Sequence, residues 1–81
     1  MYYVYILYSR TKDRYYVGYT HNIEIRLSKH NAGATPSTRG GRPWELVYSE
    51  EYIDKSLALF REREIKSKKS RKYIEHLVAK G

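Results

Sequence analysis

The sequence predicts an α+β fold of order β-β-α-β-α-α, a small three-stranded and mostly antiparallel sheet flanked by helices. Three observations predict it. Residues 2–8 (Tyr-Tyr-Val-Tyr-Ile-Leu-Tyr) are aromatic or aliphatic throughout. A second tyrosine-rich run at residues 15–19 follows a short polar turn, which is the pattern of a hairpin. Later segments place apolar residues at helical rather than alternating spacing. At 81 residues the chain has length for one core, so residues 1–81 are expected to form one domain.

Taken in order, the first strand has no polar alternation and is expected in the centre of the sheet, covered on both faces. Thr11-Lys12-Asp13-Arg14 is the turn. Within the second strand, Gly18 points to a bulge or a close approach that a Cβ would obstruct. Asn22 is the expected N-cap of a helix running to about Asn31, with Gly33 as its stop and Ile23 and Leu27 inward. Residues 32–43 have no apolar period and read as a flexible loop carrying Arg39 and Arg42. Trp44 to Tyr52 is the third strand, with Leu46, Tyr48 and Glu50 on one face and Val47 on the other. Asp54 is expected to cap a helix over about 55–67 whose inner face holds Leu57, Ala58 and Ile65. Ser70 caps a last helix through Lys80, with Tyr73, Ile74, Leu77 and Val78 inward.

Composition narrows the function. There is no cysteine, which removes disulfides and thiolate metal sites. No apolar run approaches the roughly 18 residues of a membrane span, and no signal-peptide pattern opens the chain, so a cytoplasmic location is expected. Net charge is +7, unevenly spread. Between Arg61 and Lys72 seven basic residues stand against Glu62 and Glu64, a local charge of +5. Such a field concentrates polyanions, nucleic acid first among them. Arg39, Arg42, Lys66, Lys68, Lys69, Arg71 and Lys72 are the candidate phosphate contacts. Ten tyrosines against one Phe and one Trp also suit strands beside a polar site, because the ring packs while the hydroxyl stays available.

Five residues form a pattern. Tyr5 and Tyr16 lie 11 positions apart, one in each strand of the hairpin. Arg26 and His30 are i, i+4 and share one helix face. Glu62 falls in the inward stripe of a later helix, where a carboxylate is costly unless paired or bound to a cation. Each has a plain structural explanation when taken alone. Strand tyrosines usually pack, helix arginines usually meet solvent, and Glu62 has Arg61, Arg63 and Lys66 as possible partners.

Tyr3-Val4-Tyr5, followed after ten residues by Tyr16-Val17-Gly18, resembles the two-part motif of the GIY-YIG nuclease superfamily. Arg26 stands eight residues after Gly18, where that family carries an arginine, His30 follows one turn on, and Glu62 matches its metal-holding glutamate. The resemblance runs from Tyr2 to about Lys69. The stretch from Thr38 to Tyr48 is similar to the small stand-alone (UPF0213-like) bacterial branch. The first part of the motif lacks its glycine, and Tyr19 stands where DNA-repair relatives often carry lysine.

The resemblance implies a GIY-YIG endonuclease-like fold and catalytic roles for Tyr5, Tyr16, Arg26, His30 and Glu62. Glu62 would hold Mg²⁺ or Mn²⁺, and Arg26 would fork onto a phosphoryl oxygen. Tyr16 would be the general base, helped by Arg26, the metal and a hydrogen bond to His30, while Tyr5 would position water or phosphate. The expected function is therefore metal-dependent hydrolysis of DNA in repair or recombination, directed by DNA structure or by a protein partner. Two alternatives are a basic nucleic-acid-binding module without turnover and an interaction subunit of a repair complex.

Overall fold

The aromatic run that opens the chain takes the centre of the sheet. In the computed structural model, which describes residues 1–81, β1 (Tyr2–Ser9) pairs antiparallel with β2 (Arg14–Thr20) and with β3 (Trp44–Tyr52), giving the order β2-β1-β3. The period of two along β1 then divides the protein into two sides. Val4 and Ile6 are buried on one side with Val17, Ala58, Ile65 and Leu77. Helices α2 (Lys55–Ser67) and α3 (Arg71–Lys80) supply the last three of these. Tyr5 and Leu7 face the other side, packed with Trp44, Tyr16 and, from α1 (Ile23–Asn31), Ile23 and Leu27.

The helix ends are set by local chemistry. Asn22 Oδ1 accepts from the Ile25 amide at 3.0 Å and Ser70 Oγ from the Tyr73 amide at 3.1 Å, each satisfying an otherwise unpaired donor. Gly33 follows α1 at φ +80°, the left-handed position that ends a helix. Asp54 occupies the N-cap of α2 but its side chain makes no cap hydrogen bond.

Three expectations are corrected. Residues 32–43 are not a structureless loop. Pro36–Gly41 form a 3₁₀ turn whose Thr38 and Gly41 are buried, held by backbone and side-chain hydrogen bonds that carry no hydropathy signal. Leu57 is half exposed and, with Ile53 and Phe60, leaves an apolar stripe in solvent. The inward face of α2 is fixed by Ala58 and Ile65, and Leu57 lies about 100° around the helix from Ala58. Leu46 and Tyr48 fall on opposite faces, because a bulge places Leu46 opposite Leu7 but Tyr48 opposite Ile6. Val47 and Tyr48 consequently pack against the same cluster.

On the α2 side, charge is built into the core margin. Arg61 donates to both Glu50 carboxylate oxygens at 2.9 and 3.1 Å, to Glu64 at 2.8 Å and to the Tyr73 hydroxyl at 3.0 Å. The hydroxyls of Tyr48 and Tyr52 donate to the same Glu50 carboxylate. Burial and that carboxylate push both phenols up to about 12. Three of the ten tyrosines are thus explained by one partly buried ion pair rather than by a reaction.

Candidate active site

The second face of β1 carries a different polar cluster. Tyr5 pairs with Gly18 across the hairpin, and Leu7 with Tyr16, so Tyr5, Tyr16 and Gly18 share that face. An ideal Cβ on Gly18 would lie 2.6 Å from the Tyr5 hydroxyl oxygen and 3.1 Å from the Tyr16 ring. The expected choice between bulge and close approach is settled as close approach: the Tyr5 phenol occupies the space above Gly18.

Helix α1 lays its polar stripe against these rings. His30, fully buried, stands 3.0 Å from the Tyr5 hydroxyl through Nε2 and 2.8 Å from Thr38 Oγ1 through Nδ1. Its ring meets the Tyr16 ring edge-on at 4.9 Å between centroids. One turn earlier, Arg26 Nε donates to the Tyr5 hydroxyl oxygen at 3.4 Å. The i, i+4 spacing of Arg26 and His30 thus brings both to one phenol. Burial pushes the Tyr5 phenol up, with Arg26 opposing it. Burial and then the Arg26 charge hold His30 below its ordinary 6.5, which makes it a neutral imidazole at pH 7. The hydrogen bond to Tyr5 and the nearness of Tyr16 hold the Arg26 proton more tightly than usual.

The 3₁₀ turn and β3 close the back of the site. Trp44 donates its indole N–H to the Thr38 carbonyl at 2.7 Å and faces the Tyr16 ring. Asn31 bridges to the Trp44 backbone in both directions, at 2.6 and 3.0 Å. Sequence reasoning missed Thr38, Asn31 and Trp44 because their roles are tertiary. The one available signal was Trp44, a lone tryptophan beginning a strand.

Glu62 comes from α2. Its side chain is 13% exposed, its Oε2 pairs with Lys66 Nζ at 3.4 Å, and its Oε1 has no protein partner. Its charge acts on the Tyr5 phenol, and Lys66 Nζ lies 6.0 Å from the centre of the Tyr16 ring. The structure therefore brings all five expected residues together. It departs from expectation in one pairing: the His30 hydrogen bond goes to Tyr5, leaving Tyr16 with a ring contact only. Tyr5, 2% exposed and held by both His30 and Arg26, has no free face to offer water or phosphate.

The basic residues divide by commitment. Arg39 Nε donates to the Gly33 carbonyl and Arg42 Nε to the Arg39 carbonyl, bracing the turn. Arg71 is taken by Asp13 at 2.6 Å and Glu75 at 3.0 Å. Lys66 and Lys69 line a groove beside Tyr16, Lys68 sits over the Tyr73 ring, and Lys72 lies on α3. Two further clefts border the site. One, of about 510 Å³, joins Arg26 to Lys29 and Lys55; the other, of about 290 Å³, joins Tyr16 to Lys12 and Arg14. None of those four was singled out from the sequence, since isolated surface cations carry no pattern.

This geometry has a counterpart in known proteins. The family model described as the GIY-YIG catalytic domain matches residues 1–74. The chain belongs to the GIY-YIG family. It is 49% identical over 78 residues to a UPF0213 protein of Natronomonas pharaonis, covering 95% of this chain and 89% of that one. It is 48% identical over 67 residues to a UPF0213 protein of Staphylococcus haemolyticus, covering 80% and 79%. The solution NMR structure of a UPF0213 protein from Bacillus halodurans is similar at a TM-score of 0.61 and 37% identity, covering 98% of this chain and 84% of that one. The α+β fold is thus the GIY-YIG fold, and the domain is of nuclease type, with nucleic acid as its class of substrate and a divalent metal as the group such domains generally use. No helix is long and apolar enough to cross a membrane.

Proposed function

We propose that this GIY-YIG domain is a Mg²⁺-dependent endonuclease that hydrolyses DNA phosphodiester bonds at the Tyr16–Arg26–Glu62 site. The observation that carries the reading is the arrangement of Arg26. Its Nε is fixed by the Tyr5 hydroxyl, and its charge acts on both tyrosines at the mouth of a cationic cleft. A guanidinium held at Nε keeps its remaining N–H groups for a planar, two-point grip on a phosphoryl oxygen pair.

The donor set suits a hydrated hard cation. Glu62 offers one unpartnered carboxylate oxygen, and no group of three or more His, Cys, Asp or Glu residues gathers anywhere in the chain to bind a metal by itself. A single carboxylate leaves most of the coordination to water and substrate oxygens, the usual habit of Mg²⁺. When bound there, the ion would supply charge neutralisation on the phosphoryl group. As the phenolate, its own proton first given up to solvent, Tyr16 would take a proton from the attacking water as the new P–O bond forms. The P–O bond to the leaving strand breaks, the leaving oxygen takes a proton from solvent, and Arg26 stabilises charge on the non-bridging oxygens. Lys12, Arg14, Lys29, Lys55, Lys66 and Lys69 flank this point and supply the sequence-independent grip on the backbone.

The whole molecule has a longest extent of 30 Å, so it covers no more than about nine base pairs at roughly 3.4 Å each. Shape, as in a branch, flap or nick, is therefore the proposed basis of selection, with a partner protein as an added source of targeting in repair or recombination. The test is cleavage of labelled branched, flapped, single-stranded and duplex DNA with Mg²⁺ or Mn²⁺, run beside Glu62→Gln. Cutting by the wild-type protein and none by the variant, at equal binding, is expected. Binding without cutting on every substrate would make the domain a nucleic-acid-binding module instead.

A further inference from the structure

The four contacts from Thr35 to Arg26 admit one consistent placement of protons. Thr38 Oγ1 lies 3.2 Å from the Thr35 carbonyl oxygen, which can only accept, so the Thr38 hydroxyl donates there. That hydroxyl has a single proton. The 2.8 Å contact with His30 must then be Nδ1–H donating to Thr38 Oγ1. A neutral imidazole protonated at Nδ1 has a bare Nε2, which accepts from the Tyr5 hydroxyl at 3.0 Å. With its proton turned toward His30, Tyr5 presents oxygen lone pairs to Arg26 Nε, which donates at 3.4 Å. The opposite tautomer would face Thr38 oxygen against a carbonyl without a proton between them. It would also leave the Tyr5 hydroxyl proton without a partner beside two donors, in a side chain 2% exposed.

We propose that Thr38 is a positioning residue that sets the His30 tautomer, makes Tyr5 a fixed donor to His30, and thereby holds Arg26 Nε on the Tyr5 oxygen. Thr38 reaches no reacting atom in this role. It acts through two buried side chains, and the 3₁₀ turn exists in the right place because Trp44 and Arg39 pin it. Tyr5 is correspondingly the keeper of Arg26 and not an acid or base. The proton arrangement stands on geometry alone, and only its consequence for turnover rests on the endonuclease reading.

The test is ¹⁵N NMR of the wild-type protein, Thr38→Val and Thr38→Ser, without substrate, read at the His30 ring nitrogens and the Arg26 Nε–H. Wild type and Thr38→Ser are expected to show protonated Nδ1, bare Nε2 and an Arg26 Nε–H slow to exchange with water. Thr38→Val, close in shape but without the hydroxyl, is expected to show a mixed or reversed tautomer and fast Arg26 exchange. With cleavable DNA, Thr38→Val is expected to lose about 10²-fold in kcat, the order that follows misplacing a catalytic group, and Thr38→Ser to recover most of it. A protonated Nε2 in the wild-type protein would overturn the proposal at once, even if Thr38→Val failed to fold. So would an unchanged tautomer and unchanged Arg26 exchange in a folded Thr38→Val. If the wild-type protein cuts nothing, the endonuclease reading fails, while the NMR signals still decide the role of Thr38.

Discussion

Replacing Gly18 with alanine probes the coupling between hairpin and site. The added methyl carbon would sit 2.6 Å from the Tyr5 hydroxyl oxygen and 2.7 Å from Cζ, against an ordinary contact that begins near 3.4 Å. Tyr5 must therefore retreat by about 0.8 Å, and it has nowhere to go without loss. Its hydroxyl is 3.0 Å from His30 and 3.4 Å from Arg26, so a shift of that size breaks at least one of the two. Overpacking of a tight site costs roughly 1–3 kcal/mol and a lost net hydrogen bond about 1 kcal/mol, giving roughly 2–4 kcal/mol in all. At about 4–8 °C per kcal/mol for a domain of this length, a melting point lower by roughly 8–32 °C is expected. The assay is urea denaturation followed by Trp44 fluorescence, with Gly40→Ala as control, since a Cβ there meets only Lys12 Cε at 3.9 Å. The cost should shrink in a Tyr5→Phe background, where the ring is no longer tethered. Equal midpoints for Gly18→Ala and Gly40→Ala would refute the reasoning.

Four further outcomes are expected. Tyr16→Phe should keep the fold and lower kcat by about 10²–10⁴-fold, and wild-type turnover would remove Tyr16 as the base. Lys12→Gln with Arg14→Gln should flatten the log–log salt dependence of DNA binding by roughly 2, at about 0.9 per phosphate contact, while an unaltered slope would take the strand elsewhere. Arg61→Met leaves a Glu50 carboxylate that is only 19% exposed and has lost its counter-charge, so urea unfolding should show a loss of about 3–5 kcal/mol; below about 1 kcal/mol, the pair would count as solvent-screened. Acid should destabilise the fold in two stages. His30 is held below 6.5, chiefly by burial, so its contribution is complete above 6.5 and declines as pH falls beneath that. Burial pushes the Glu50 carboxyl up, but Arg61, Tyr48 and Tyr52 together outweigh that and hold it below 4.5, so its share is lost only below that pH. Stability that is flat from pH 6.5 to pH 4.5 would contradict the first stage, and no further loss below pH 4.5 would contradict the second.

Most of the skeleton was legible in the residues because it rests on local rules. Asn22 and Ser70 are caps by chemistry, Gly33 ends a helix by its backbone freedom, and an unbroken apolar run such as Tyr2–Tyr8 has a place only in the centre of a sheet. The gathering of the five candidate residues was legible for a different reason: their spacing matches a family pattern, which fixes relative position without any calculation of contacts. What stayed hidden is what depends on partners distant in sequence. The bulge that separates Leu46 from Tyr48 comes from pairing with β1, not from any glycine or proline in β3. Thr38 looked like one more polar residue in a polar tract, although it is buried under Trp44 and bonded to His30. Arg71 looked like part of a basic run, yet Asp13, 58 residues away, claims its guanidinium.

The alternation along β1 has a consequence for how the site can move. Val4 and Ile6 seat the main core, while Tyr5, between them, holds Arg26. Both flanks of β1 are hydrogen-bonded to neighbours, so no opening of a loop or fraying of an edge releases Tyr5. The amides of Val4, Tyr5 and Ile6 should exchange with solvent only through global unfolding, and a slip of one residue would drive Tyr5 into the core and Val4 into the cleft. The strand that positions the candidate site and the strand that seats the main core are thus the same few residues. A substitution at Val4, Tyr5 or Ile6 that weakens one weakens the other.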